Sequence, residues 1–326
     1  MPGVHCRCIL ALAALLFISV RAKTDATQAP VQLELLPPSR TEEVGYARPF
    51  LKWAGGKTQL LSRFAQFYPP KGTVERYLEP FLGGGAVYFH FKALVGPRRA
   101  LLRDNNRELV ATFQAVQQDV DSVIRILTEY RKKHSKEFFL AMREKAPTTL
   151  AGKAARLIYL NKTCWNGLYR VNSRGIFNVP FGRYENPGIF DQDRLRQASH
   201  QLAGATIEVR DFRLLGGEAR KGDFIYFDPP YHPRSATSYF TSYTRDPFGE
   251  ADQRDLAGLY RALDEKGCLL MLSNSDTPLI RELYKGFEIR QVSARRSINS
   301  VAERRGPIAE LVVLNPRLLE RSRGRA

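Results

Sequence analysis

The sequence predicts an α/β domain, a sheet of mostly parallel strands flanked by helices and split by a basic helical insertion. Three observations lead there. Short apolar runs and helix-like stretches alternate on both sides of the centre of the chain, which is strand–helix–strand order. A run of glycines joins one of those strands to a helix, the place where open α/β sheets hold ligands. Between about Val120 and Ala205 the pattern is helical instead, with 15 Lys or Arg against 7 Asp or Glu over residues 121–205.

The elements follow in order. Arg7 precedes an apolar run from Ile9 to Val20, and small residues follow near Ala22, in the manner of a signal peptide. At 12 residues the run is too short to span a bilayer. Export conflicts with the chemistry read below, so we take the run as an over-extended start or a dispensable leader and expect a cytoplasmic, nucleoid-associated protein. Lys23 to Arg48, rich in Pro, Thr, Gln and Glu, reads as a disordered lead-in. Folding is expected from about Pro49. A strand is predicted at Arg76–Leu78, a helix at Ala86–Leu94 and a second strand at Ala100–Leu102. Beyond the insertion, strands are predicted at Thr206–Val209, Phe224–Phe227, Leu269–Leu272 and Leu311–Leu314. The expected organisation is a leader at 1–48, a sheet domain at 49–120 and 206–316, its insertion at 121–205, and a basic tail at 317–326.

The formal charge of +17 over 326 residues selects polyanionic partners, nucleic acid ahead of an anionic membrane surface. Cys6, Cys8, Cys164 and Cys268 are too few and too scattered for a disulfide scaffold or a paired zinc site. No metal is expected.

Glu79-Pro80-Phe81-Leu82-Gly83-Gly84-Gly85 follows a strand and opens a helix, where glycine permits a tight turn and close approach of a ligand to the backbone. Asp104 ends the next strand 19 residues beyond Gly85, near the spacing of roughly 20 at which an acidic residue reaches a ribose. Together they favour an adenosine-containing ligand. Tyr88 stands where a dinucleotide fingerprint needs its third glycine, so a smaller adenosyl compound fits better. Gly56-Lys57-Thr58 resembles the end of a phosphate-binding loop, but that motif needs a glycine where Leu51 stands.

Asp228-Pro229-Pro230-Tyr231 lies at the carboxyl end of an apolar strand, and two prolines cannot continue a ladder. The Asp228 carboxylate and the Pro229 carbonyl offer two rigid acceptors beside the stacking face of Tyr231. That set suits a planar base with an exocyclic amine, whose delocalised lone pair needs both protons bonded before nitrogen can attack a methyl group. The tetrapeptide alone specifies amine methylation on a planar base and leaves the base open.

Four segments together resemble the Dam group of DNA adenine methyltransferases, across about residues 49 to 316. They are Phe50-Leu51-Lys52-Trp53-Ala54-Gly55-Gly56-Lys57, the Glu79–Gly85 loop, the run from Asn166 to Tyr184, and Asp228–Tyr231. The resemblance implies a Rossmann-like methyltransferase domain with an inserted helical DNA-recognition domain, using S-adenosyl-L-methionine on double-stranded DNA. By position it implies that Trp53, Lys57, Gly83, Gly85, Asp104 and Asp228 line the methyl-donor pocket, with Asp228, Pro229 and Tyr231 at the target amine. It further implies a wedge at Trp165, where tyrosine is usual, supported by Asn166. Arg170 and Lys52 match readers of the inner and outer guanines, and Leu168 and Pro180 match groups near a thymine methyl, which implies GATC. Arg183 and the nine arginines from Arg290 onward suit phosphates.

Other chemistries fit less well. Cytosine C5 methylation needs a cysteine nucleophile, and neither Cys164 nor Cys268 follows a proline as in such enzymes. The recognition segment argues against cytosine N4, nothing resembles an RNA-binding module, and an intact Asp228, Tyr231 and glycine loop argue against a binder without turnover. No stable protein partner is implied, and the chain is expected to be a monomer. The Asn161–Thr163 sequon matters only if the chain is exported.

Overall fold

The computed structural model describes residues 47–233, 248–294 and 308–324. Among them seven strands, β1 (Arg76–Glu79), β2 (Arg99–Asp104), β3 (Ala205–Val209), β4 (Phe224–Phe227), β5 (Leu269–Ser275), β6 (Glu288–Ala294) and β7 (Ile308–Leu314), form one sheet. Their order is β3-β2-β1-β4-β5-β7-β6. The first five run parallel, and β7 inserts antiparallel between β5 and β6. The chain leaves β1 for β2 on one side and later returns to place β4 on the other, so a crevice opens at the carboxyl ends of β1 and β4.

Eleven helices are described with it. They are α1 (Leu61–Phe64), α2 (Ala86–Leu94), α3 (Arg107–Gln118), α4 (Val120–Lys132), α5 (Lys136–Glu144), α6 (Leu150–Thr163), α7 (Gln192–Leu202), α8 (Leu215–Glu218), α9 (Glu250–Glu265), α10 (Pro278–Leu283) and α11 (Pro316–Arg323). The starts of α3 to α6 are set by Asn106, Asp119, Ser135 and Thr149, whose side chains each accept a free backbone amide of the first turn. Each such cap contributes about 1 kcal/mol.

Side chains alternate across the sheet because strand periodicity is two. Tyr77, Leu102, Phe224, Tyr226 and Met271 enter a core shared with α2, α3 and α6. Leu78, Ile225, Phe227, Leu270 and Leu272 enter a second core with α9 and α10. Burial on both faces explains why these strands read as unbroken apolar runs. The predicted strands and the helix at Ala86–Leu94 are all present, within a few residues at their ends. The edge strand β6 was not anticipated, because its charged sequence carries little alternation.

The insertion needs correction at its centre. It is helical through α4, α5, α6 and α7, but residues 164–191 form no helix beyond a turn at Trp165–Gly167. They fold back as a hairpin held by bridges between Cys164 and Phe181 and between Val171 and Phe177. Gly167, Gly175, Pro180 and Gly182 interrupt any helical run there. Cys164 and Cys268 are buried and unbridged. No helix among the described residues is long and apolar enough to cross a membrane. The run from Ile9 to Val20 lies outside the described residues, as do Arg295, Arg296, Arg304, Arg305 and Arg325.

Candidate active site

The glycine loop is pinned between two strand ends. Asp104 at the end of β2 accepts the Gly83 amide through Oδ2 at 3.0 Å and the Asn106 amide through Oδ1 at 2.9 Å. Leu82 N donates to the Arg103 carbonyl at 2.8 Å. Gly83 and Gly85 have φ of +50° and +71°, conformations that cost a side chain about 1–2 kcal/mol. A Cβ at Gly83 would stand 3.1 Å from Trp53 Cδ1, so the indole rests directly on this backbone. The indole also stacks on Tyr169, centroids 5.3 Å apart. Glu79, buried at the end of β1, accepts from Tyr77 Oη at 2.8 Å. Burial raises the pKa of both Glu79 and Asp104.

Asp228 follows directly on β4. Its Oδ1 pairs with Lys57 Nζ at 2.7 Å and accepts from Ser273 Oγ at 2.9 Å. Ser273 Oγ in turn lies 2.8 Å from Tyr226 Oη. Lys57 is almost wholly buried, donates also to the Gly55 carbonyl, and sits 4.6 Å from the centre of the Tyr231 ring. Burial raises the Asp228 pKa and the Lys57 cation opposes it. Among the described residues both bonds fall on Oδ1, and Oδ2 is left as an acceptor. Tyr231 donates to Glu310 Oε2 at 2.6 Å, and burial with the nearby Asp228 and Glu310 carboxylates keeps its phenol protonated.

The turn around Tyr231 is clamped from behind by two fully buried amides. Gln253 Nε2 donates to the Pro230 carbonyl at 2.8 Å, and Asn274 Oδ1 accepts the His232 amide at 3.2 Å. Asn274 Nδ2 donates to Gln253 Oε1 at 3.0 Å, which fixes the orientation of both amides. Gln253, Ser273, Asn274 and Glu310 were missed in the sequence. A polar signal was present, since Ser273-Asn274-Ser275 ends an apolar strand and stays buried.

The expected DNA-facing residues gather on the 164–184 hairpin and the segment beside it. Trp165 is 56 % exposed. Asn166 has φ of +53° and its amide donates to Tyr184 Oη at 3.0 Å. Leu168 is partly buried, Pro180 exposed, and the Pro180 carbonyl accepts the Trp165 amide at 2.8 Å. Arg170 is exposed, with Nε donating to Asn178 Oδ1 at 2.8 Å and Nη2 to the Asn178 carbonyl at 3.3 Å, and Arg183 is exposed with φ of +52°. Lys52 lies across Gly167, with Nζ 5.4 Å from the centre of the Tyr184 ring. Asn161 is fully buried and its side chain bonds Lys52 and Gly167, so the sequon cannot take a glycan in the folded chain. Among the described residues no group of three or more His, Cys, Asp or Glu could hold a metal ion.

Comparison with known proteins follows the same lines. The family model for D12 class N6 adenine-specific DNA methyltransferases matches residues 53–298. The type II methyltransferase M.MjaIII of Methanocaldococcus jannaschii is 42% identical over 285 residues, covering 82% of this chain and 99% of that one. The DNA adenine methylase of Haemophilus influenzae is 35% identical, covering 82% and 93%. That of Escherichia coli is 34% identical, covering 82% and 95%.

Proposed function

The chain belongs to the D12 class of N6 adenine-specific DNA methyltransferases, and from that premise we propose its finer chemistry. It transfers a methyl group from S-adenosyl-L-methionine to N6 of adenine within GATC of double-stranded DNA, acting on a base turned out of the helix.

The residues suit such a donor. The Gly83–Gly85 backbone carries no side chain to block a ligand, the Trp53 indole lies against it, and the Asp104 carboxylate at the end of β2 suits the hydroxyls of a ribose, which would donate to it. When bound, S-adenosylmethionine supplies a sulfonium methyl as the electrophile. Lys57, Gly83, Gly85 and Asp104 with Trp53 would hold it, and Asp228 would touch both it and the target amine.

The reading rests above all on the Asp228 carboxylate, fixed through Oδ1 by Lys57 and Ser273 at the carboxyl end of β4. An ionised, immobile carboxylate and the Pro229 carbonyl accept hydrogen bonds from the two amine N–H groups and so localise the nitrogen lone pair. Tyr231, steadied by Glu310, supplies the stacking face. A base inside a duplex cannot reach such a site, so it is extruded. The exposed Trp165 with Asn166 fills the gap. Arg170 reads the inner guanine through a bidentate fork and Lys52 the outer one, with Leu168 and Pro180 at the thymine methyl. Arg183 grips phosphate.

The test is expression from about Ala47 in cells lacking adenine methylation. Their DNA is then cut with nucleases that distinguish methylated from unmethylated GATC, and the modified base is identified by base-resolution sequencing. Protection with N6-methyladenine is expected; unprotected GATC overturns the site assignment. Asp228→Ala should abolish transfer while retaining most DNA affinity, and undiminished turnover would refute its role.

A further inference from the structure

Asn161, on the last turn of α6, is fully buried, and its side chain makes three hydrogen bonds. Its Oδ1 accepts the Lys52 amide at 2.8 Å, and its Nδ2 donates to the Lys52 carbonyl at 2.7 Å and the Gly167 carbonyl at 2.9 Å. One side chain therefore grips both backbone groups of Lys52, as a neighbouring strand would, and ties them to the turn that carries Trp165 and Asn166.

Lys52 and Trp53 serve different places. The Lys52 stem packs on Gly167 so closely that a Cβ there would stand 2.8 Å from Lys52 Cβ. Trp53 lies on the Gly83–Gly84 backbone and stacks on Tyr169, three residues beyond Asn166. A shift of the Lys52 peptide moves both the lysine at the hairpin and the indole at the glycine loop. Asn161 holds the peptide groups that join the two.

We infer that Asn161 is a positioning residue that couples base reading to methyl-donor binding. This rests on the roles given above to Lys52 and Trp53. Engagement of Lys52 by DNA fixes the peptide that Asn161 holds, and so orders Trp53 against the donor. By linkage the donor strengthens DNA binding by the same factor.

Calorimetry on the full chain measures that factor as the ratio of S-adenosylhomocysteine Kd without and with a GATC duplex. Wild type is expected to show about fivefold coupling or more. Asn161→Leu should bring the ratio close to one, with each binary affinity changed by less than about threefold. It should also reduce discrimination against a replaced outer guanine by about tenfold, an effect of about 1.4 kcal/mol, while discrimination at the Arg170 guanine holds. Asn161→Ser, smaller and still polar, decides the matter if Asn161→Leu does not fold. A wild-type ratio of one overturns the inference, and so does coupling kept within twofold in the variant. Lys52→Ala run in parallel separates the failures. Outer-guanine discrimination unchanged in Lys52→Ala overturns the base assignment, and the coupling ratio then decides the role of Asn161. Discrimination lost in Lys52→Ala but kept in Asn161→Leu overturns the role of Asn161 alone.

Discussion

Lys57→Met tests whether the Lys57–Asp228 pair sets the state of the carboxylate proposed to act at the amine. Methionine keeps most of the apolar stem and deletes the cation, which bonds Asp228 Oδ1 at 2.7 Å and sits over the Tyr231 ring. Removing one partner of a buried pair costs about 3–5 kcal/mol because the other charge is left without compensation. Asp228 keeps 21% of its side chain exposed, so water screens part of the loss, and the lower end applies. If that loss of about 3 kcal/mol falls wholly on the transition state, kcat drops by about 150-fold. The pH dependence has a definite sign. Burial raises the Asp228 pKa and Lys57 lowers it; without the lysine only the upward push remains. In the proposed role the carboxylate must be ionised to accept hydrogen bonds from the amine, so the acid limb of the profile should move to higher pH and raising the pH should recover part of the lost rate. Single-turnover methyl incorporation across the pH range measures both effects. A variant with an unmoved acid limb, or with kcat within threefold of wild type, would refute the argument.

Gln253→Leu strips the Pro230 carbonyl and Asn274 Nδ2 of their partners, each worth about 1–3 kcal/mol when buried. It should lower kcat by about tenfold or more while donor KM changes little, as steady-state kinetics would show; a rise in KM alone would contradict a positioning role. His90, buried and with its pKa lowered to about 4, binds its proton more readily unfolded, at the ordinary value near 6.5. Stability should therefore fall by up to about 3 kcal/mol as pH drops from 6.5 to 4, and urea titrations of His90→Gln should lack that segment of the slope. Gly85→Ala places a methyl 3.2 Å from the Phe113 ring at φ of +71°. A loss of about 1–2 kcal/mol should appear as a lower Tm, and an unchanged Tm would show that the loop relaxes freely.

Some of the site was legible because its residues sit at strand ends, where one-dimensional signals are strongest. Asp104 and Asp228 each follow an apolar run that burial on both faces enforces, and the prolines after Asp228 mark the strand end by their missing amides. Trp53 and Lys57 carry no such mark. Their neighbours across space, Gly83, Tyr169 and Asp228, are 30 to 171 residues away in sequence, and only resemblance pointed to them. The buried polar residues were harder still, because Gln253 and Asn274 matter through backbone groups they hold, and a backbone carbonyl has no letter in a sequence. The hairpin at 164–184 shows the opposite failure. Its charge and aromatics announced a contact surface, yet helical expectation carried over from α6, although Gly167, Gly175 and Gly182, all within 15 residues of one another, forbid a continuing helix. Two of those glycines also leave room for Lys52 and Tyr184, whose atoms a Cβ would meet at 2.4 Å. Gly167 and Gly182, which keep the segment from being helical, therefore also make the space in which Lys52 and the turn behind it can meet.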